Sequence, residues 1–276
     1  MSRSNRVADR PLAAYFLLVF ALAWPLMGVA IAQHRGAIGG TLPLTPMLVL
    51  GSWIPNIAAF LVLTLVVRRK GGLKALLKGW TKFKVGPLWY LVAVSPVLVG
   101  GITIGVYRLI YGSSPATAVF SDPASLVALL VISTLTGATG EELGWRGFAL
   151  PRLQMRMNAL VSSLLLGLIW VLWHLPLWFA GIGFETIPYG VYAVIGVSSS
   201  VLITWACNNT RGSMVIASLF HLFLNVSLSM IERDAYALFS ALFVLAAVVV
   251  VIVYGPRKLA RAKALPIEAD RKSWVL

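Results

Sequence analysis

A chain of 276 residues with 59% hydrophobic and 12% charged side chains lies outside the range of soluble globular proteins and inside that of polytopic membrane proteins. The formal net charge of +14 does not point to nucleic acid, because the 23 Lys and Arg residues flank apolar runs instead of forming a basic stripe on a polar face. The single cysteine, Cys207, excludes an intrachain disulfide framework and a cysteine-rich metal site, and in its apolar run it reads as packing.

Eight apolar runs are long enough to cross a hydrocarbon layer of ~30 Å as helices. In chain order they cover roughly 12–32, 48–67, 88–111, 124–150, 159–180, 189–207, 213–231 and 237–254. Arg3, Arg6 and Arg10 before the first run resemble the start of a signal peptide. The run itself, however, exceeds the apolar core of about 7–15 residues that such peptides carry, so it reads as a retained span. Between the second and third runs, 68–87 holds seven basic residues, no acidic ones, and interleaved Leu73, Leu76, Leu77, Trp80 and Phe83. That pattern suits a short amphipathic helix on an anionic membrane surface, or a plain basic loop. In the third run Gly101 and Gly105 form a small-xxx-small pair suited to close helix packing.

Alternate connections divide the basic residues twenty to three, with only Arg35, Arg108 and Arg233 on the poorer side. The positive-inside rule then puts both termini in the cytoplasm and requires an even number of spans. The expected fold class is an all-α polytopic transmembrane bundle of about eight spans. It forms a single membrane domain over 1–276 in the cell membrane, with the lipid bilayer as its first partner and no nucleic acid.

The fourth run carries the exceptional chemistry. Asp9, Asp122, Glu185, Glu232, Asp234, Glu268 and Asp270 fall in tails or between runs, which leaves Glu141 and Glu142 as the only acids within one. Ionisable groups at membrane depth are costly and mark functional sites. Glu142 and Arg146 stand at i and i+4 with the acid first, the favoured order for an intrahelical ion pair. Successive residues of an α-helix point about 100° apart, so Glu141 is expected to face elsewhere and stay available for chemistry. Trp170 with His174, and His221 with Asn225, form two more i, i+4 pairs in the fifth and seventh runs. At 1.5 Å per residue, Glu141 lies roughly 16 Å from Arg152, His174 roughly 22 Å from Ala159, and His221 and Asn225 roughly 12 and 18 Å from Ser213. All these starting points are cytoplasmic ends, so the four groups reach similar depths and would line one polar cavity.

These three motifs, Glu141-Glu142-xxx-Arg146, Trp170-xxx-His174 and His221-xxx-Asn225, resemble the signatures of the CAAX-protease and bacteriocin-processing (CPBP, or Abi) intramembrane endopeptidases. These include the type II CAAX prenyl endopeptidases. Thr210-Arg211-Gly212-Ser213 resembles the lead-in to the last motif, and the resemblance spans 124–231, the expected catalytic core. Trp170 stands where the prenyl endopeptidases typically have Phe. The resemblance implies hydrolysis of a peptide bond in a membrane-associated peptide or protein, of prenylated CAAX type or of bacteriocin or leader type. It implies Glu141 as general base, His174 as the residue positioning the water, and His221 with Asn225 as the oxyanion site. Glu142, Arg146 and Trp170 would then be structural. The family's naming as metalloproteases keeps a second mechanism open, with Zn2+ bound by Glu141, His174 and His221. Two readings from other classes also stand: a transporter or proton relay built on the same ionisable groups, and a non-catalytic immunity scaffold.

Overall fold

The computed structural model describes residues 3–68 and 70–261. Ten α-helices follow one another among them: α1 (Arg3–His34), α2 (Leu44–Leu61), α3 (Gly72–Leu77), α4 (Pro87–Tyr111), α5 (Pro123–Ser133), α6 (Leu150–Gln154), α7 (Ala159–Trp173), α8 (Tyr189–Asn209), α9 (Met214–Met230) and α10 (Tyr236–Tyr254). No strand forms among the described residues, only an isolated bridge between Ala116 and Ile231. All-helical structure is what a lipid-embedded backbone requires, since every N–H and C=O must be satisfied within its own segment.

Seven helical stretches are long and apolar enough to cross a membrane: Pro11–His34, Leu44–Val67, Pro87–Tyr111, Pro123–Gln154, Ala159–Phe179, Tyr189–Asn209 and Arg233–Tyr254. The chain is therefore a multi-pass membrane protein. The remaining expected span, α9, is a shorter apolar helix of 17 residues. Its ends are fixed locally. Ser213 Oγ accepts from the Ile216 N–H at the start, and Ile231 turns extended at the end and bridges to Ala116. At 1.5 Å per residue α9 is about 25 Å long, at the lower limit for a span.

The fifth run departs from a plain helix as well. Asn158 caps α7 by accepting from the Val161 N–H, but α7 stops at Trp173 and a 3-10 segment, Leu175–Phe179, takes over. Pro176 has no N–H to offer an α-helix and disfavours the helical conformation in the residue before it. His174 thus sits at a helix end and not in mid-helix.

Helix α4 lies along α9, α7 along α8, α1 along α2, and α8 also meets α10. The interior is filled by large rings, including Tyr15, Trp145, Phe148, Trp170, Trp173, Phe220, Phe239 and Phe243. Large aliphatic side chains such as Leu17, Leu98, Leu109 and Ile252 point outward, as on a surface that meets lipid. In the basic loop only six residues form a helix, α3, followed by a 3-10 turn, Lys78–Thr81. The loop is tied to the rest of the bundle. Ser213 Oγ donates to the Lys82 carbonyl at 2.6 Å, and Lys82 Nζ donates to the Arg211 carbonyl at 2.5 Å, which pins it to the turn between α8 and α9.

Candidate active site

The two glutamates sit where the helix changes its winding. Thr134–Glu141 and Leu143–Ala149 are π-helical, with hydrogen bonds reaching five residues back, a rare form that is frequent at functional sites. Thr139 Oγ1 donates to the carbonyl of Thr134, and the Leu150 N–H donates to that of Trp145. A wider turn leaves backbone groups to be satisfied from outside, and α2 supplies the partners. Asn56, fully buried, donates from Nδ2 to the Thr139 carbonyl at 2.7 Å and accepts the Gly144 N–H on Oδ1 at 2.8 Å. Trp53 Nε1 donates to the Leu135 carbonyl at 2.7 Å. The approach is so close that a Cβ at Gly144 would stand 2.4 Å from the Pro55 carbonyl oxygen, which is why glycine is needed there.

On this frame each carboxylate takes its own histidine. Glu141 Oε2 accepts from Trp170 Nε1 at 2.7 Å and from Trp145 Nε1 at 3.3 Å. Its Oε1 lies 3.8 Å from His174 Nε2. His174 Nδ1 lies 2.8 Å from the Trp170 carbonyl, which can only accept, so this nitrogen carries the proton and Nε2 presents its lone pair to Glu141. Glu142 Oε1 accepts from Arg146 Nη1 at 3.0 Å and lies 2.7 Å from His221 Nδ1. The expected pairing of Glu142 with Arg146 is present, but Glu142 does not point away from the remaining polar groups. It holds His221 as well. The two carboxylates do point in different directions, and each direction leads to a histidine, His174 for Glu141 and His221 for Glu142.

Trp170 ties the two halves together. Its ring meets His174 edge-on at 5.2 Å and His221 edge-on at 5.1 Å between centroids, while the Arg146 guanidinium stacks on it at 4.7 Å. Glu141, Glu142, Arg146, His174 and His221 are all buried. Asn225 is half-buried one turn beyond His221. His221 Nε2 and Asn225 Nδ2 converge on Gly137, where a Cβ would stand 2.5 Å from the first and 3.0 Å from the second. The missing side chain therefore leaves a small space facing two nitrogen atoms.

Among the described residues no three His, Cys, Asp or Glu side chains gather as a metal ion would require. Glu141 has one oxygen committed to two indole N–H groups, and His221 turns Nδ1 to Glu142 and Nε2 to Gly137. The two-His, one-carboxylate set for Zn2+ does not fit this arrangement. A cavity of about 740 Å³ opens beside Arg146, but Glu141, His174, His221 and Asn225 are not among its walls. Three participants carried no clear sequence signal: Asn56, Trp145 and Gly137. Asn56 could have been noticed as an amide in the middle of an apolar run.

Fold and site together define a class, that of polytopic helical membrane proteins with a carboxylate–histidine cluster sealed inside the bundle. Residues 123–227 match the family described as type II CAAX prenyl endopeptidase Rce1-like. That segment is thus similar in sequence to the CAAX protease family. It is similar to CAAX prenyl protease 2 of Methanococcus maripaludis, with 36% identity over 115 residues. The aligned stretch covers 39% of this chain and 42% of the archaeal protein, so the chain spans about two fifths of that relative's length.

Proposed function

We propose that the chain is an intramembrane endopeptidase that hydrolyses a peptide bond of a membrane-associated substrate with a water activated by Glu141 and His174. The observation that carries this reading is the 3.8 Å between Glu141 Oε1 and His174 Nε2. Both atoms are acceptors, so a donor between them satisfies both, and one water offers its two protons while turning a lone pair outward. The water oxygen attacks the carbonyl carbon and its proton passes to Glu141. The C–N bond then breaks and that proton goes to the leaving amine nitrogen.

The developing oxyanion would sit in the space beside Gly137, facing His221 Nε2 and Asn225 Nδ2. To donate from Nε2, His221 must carry protons on both nitrogens, because Nδ1 already donates to Glu142. The Glu142 carboxylate, itself balanced by Arg146, stabilises that form. Glu142 thus orients and charges the oxyanion histidine as well as anchoring Arg146. Trp170 and Trp145 hold Glu141 by one oxygen and leave the other for water.

One relative's name supports the choice of substrate class. The archaeal relative's name specifies CAAX prenyl proteins, which makes a lipid-anchored peptide the first substrate to try, with leader-type peptides as the comparison. The test uses the purified full chain in lipid vesicles with a panel of prenylated and unprenylated peptides. Cleavage that disappears in Glu141→Gln, with helicity and unfolding temperature unchanged, supports the proposal. Undiminished cleavage by a folded Glu141→Gln protein would sink it. General-base removal costs on the order of 10²–10⁴ in rate. Treatment with a metal chelator is expected to leave the rate unchanged.

A further inference from the structure

The basic stretch between the second and third spans has no part in this chemistry. In the structure it forms one wall of the 740 Å³ cavity, closed on the other side by the turn between α8 and α9. Lys78, Lys82, Lys84 and Arg211 line it, together with Arg146, and none of its lining residues is acidic. Like charges gathered in one wall repel one another unless an anion lies between them. The loop is nonetheless held in place, through the Lys82 and Ser213 hydrogen bonds, with its basic side chains around the cavity.

We propose that this cavity binds the phosphate of an anionic phospholipid headgroup, with Lys78, Lys84 and Arg211 around it. A lipid is favoured over a soluble anion by the apolar side chains beside the same residues. Leu77, Phe83 and Leu88 are 46%, 54% and 63% exposed, which places chain-compatible surface beside the charge. Basic recesses between helices at the cytoplasmic face are the usual form of such headgroup sites.

The experiment is lipid retention by native mass spectrometry, with thermal unfolding as lipid is titrated into delipidated protein in detergent. Phosphatidylglycerol, phosphatidylcholine and inorganic phosphate serve as probes. The wild type is expected to retain phosphatidylglycerol and gain thermal stability from it, and to retain no phosphatidylcholine. Lys78→Gln/Lys84→Gln, both exposed positions, should weaken retention about thirtyfold. Lys74→Gln, on the same stretch but outside the cavity, should leave retention unchanged. Equal retention of the zwitterionic lipid overturns the proposal, as does an equal loss in Lys74→Gln, which would mean a diffuse surface charge effect. Inorganic phosphate acting as well as the lipid would reduce the site to a free-phosphate site. Protection by a peptide with a free C-terminal carboxylate and not by its amide would reassign it to substrate. Should the double variant fail to fold, the comparison of lipids on the wild type decides alone.

Discussion

Gly137→Ala offers the sharpest test of the proposed oxyanion site, because it adds one methyl group and removes no polar atom. The new Cβ would stand 2.5 Å from His221 Nε2, 2.8 Å from its Cε1 and 3.0 Å from Asn225 Nδ2. These are closer than a carbon atom tolerates, so the imidazole must move. It cannot move freely, since Nδ1 is held by Glu142 at 2.7 Å. Either that bond breaks or the ring tilts away from the space where the oxyanion would form. Loss of one such donor lowers turnover by about 10²–10³. Stability should change little. Overpacking costs about 1–3 kcal/mol, and replacing glycine by alanine in a helix returns about 1 kcal/mol. The assay pairs single-turnover cleavage of a membrane-anchored peptide with thermal unfolding in the same detergent. Wild-type turnover in a folded Gly137→Ala protein would refute the placement of the oxyanion.

Three further outcomes are expected. Glu142→Ala should destabilise the fold by about 3–5 kcal/mol, since it strands a buried Arg146 and leaves His221 Nδ1 unpartnered; chemical denaturation in detergent would read this, and a variant as stable as wild type would contradict the pairing. Trp170→Phe keeps a ring between the histidines and removes the nearer of the two donors to Glu141 Oε2; stability should fall by about 1.5–3 kcal/mol, the worth of a hydrogen bond to a charged group, with cleavage reduced and not abolished. For orientation, cysteines introduced at Lys78 and Arg211 should react with an impermeant thiol reagent from the cytoplasmic side, and cysteines at Asp122 and Glu185 from the other. Native Cys207 is buried and keeps the background low. Labelling of Lys78 and Arg211 from opposite sides would break the even span count.

Much of the scaffold was legible because its cause is simple. Apolar length alone sets the membrane helices, and the seven long stretches fall on seven of the eight expected runs. The eighth fell short through local chemistry, a serine cap at one end and an extended Ile231 at the other. The acid and histidine residues of the site were legible from their cost in an apolar setting, and the Glu142–Arg146 pair from its spacing. Their mutual arrangement was not. Periodicity says which way a side chain leaves its helix, whereas the pairing of Glu142 with His221 depends on how two helices stand against one another. The roles of Trp145 and Trp170 as donors to Glu141 were hidden as well, because an indole in an apolar run reads as packing until its nitrogen has a partner. Gly137 was invisible for a different reason, since its contribution is volume left empty.

The clamp from α2 bears on where the protein's parts could be separated. Asn56, Trp53 and the Pro55 carbonyl oxygen all lie upstream of residues 123–227, the stretch that carries the family match. They nonetheless complete the backbone hydrogen bonding of the π segments and set their distance from α2. A fragment limited to the matched stretch would carry every motif and yet open the Thr139 carbonyl and the Gly144 N–H to hydrocarbon, on either side of the two glutamates. The motifs are therefore not a portable cassette, and chimeras that exchange the first two spans should be designed with Asn56 and its neighbours counted as part of the site.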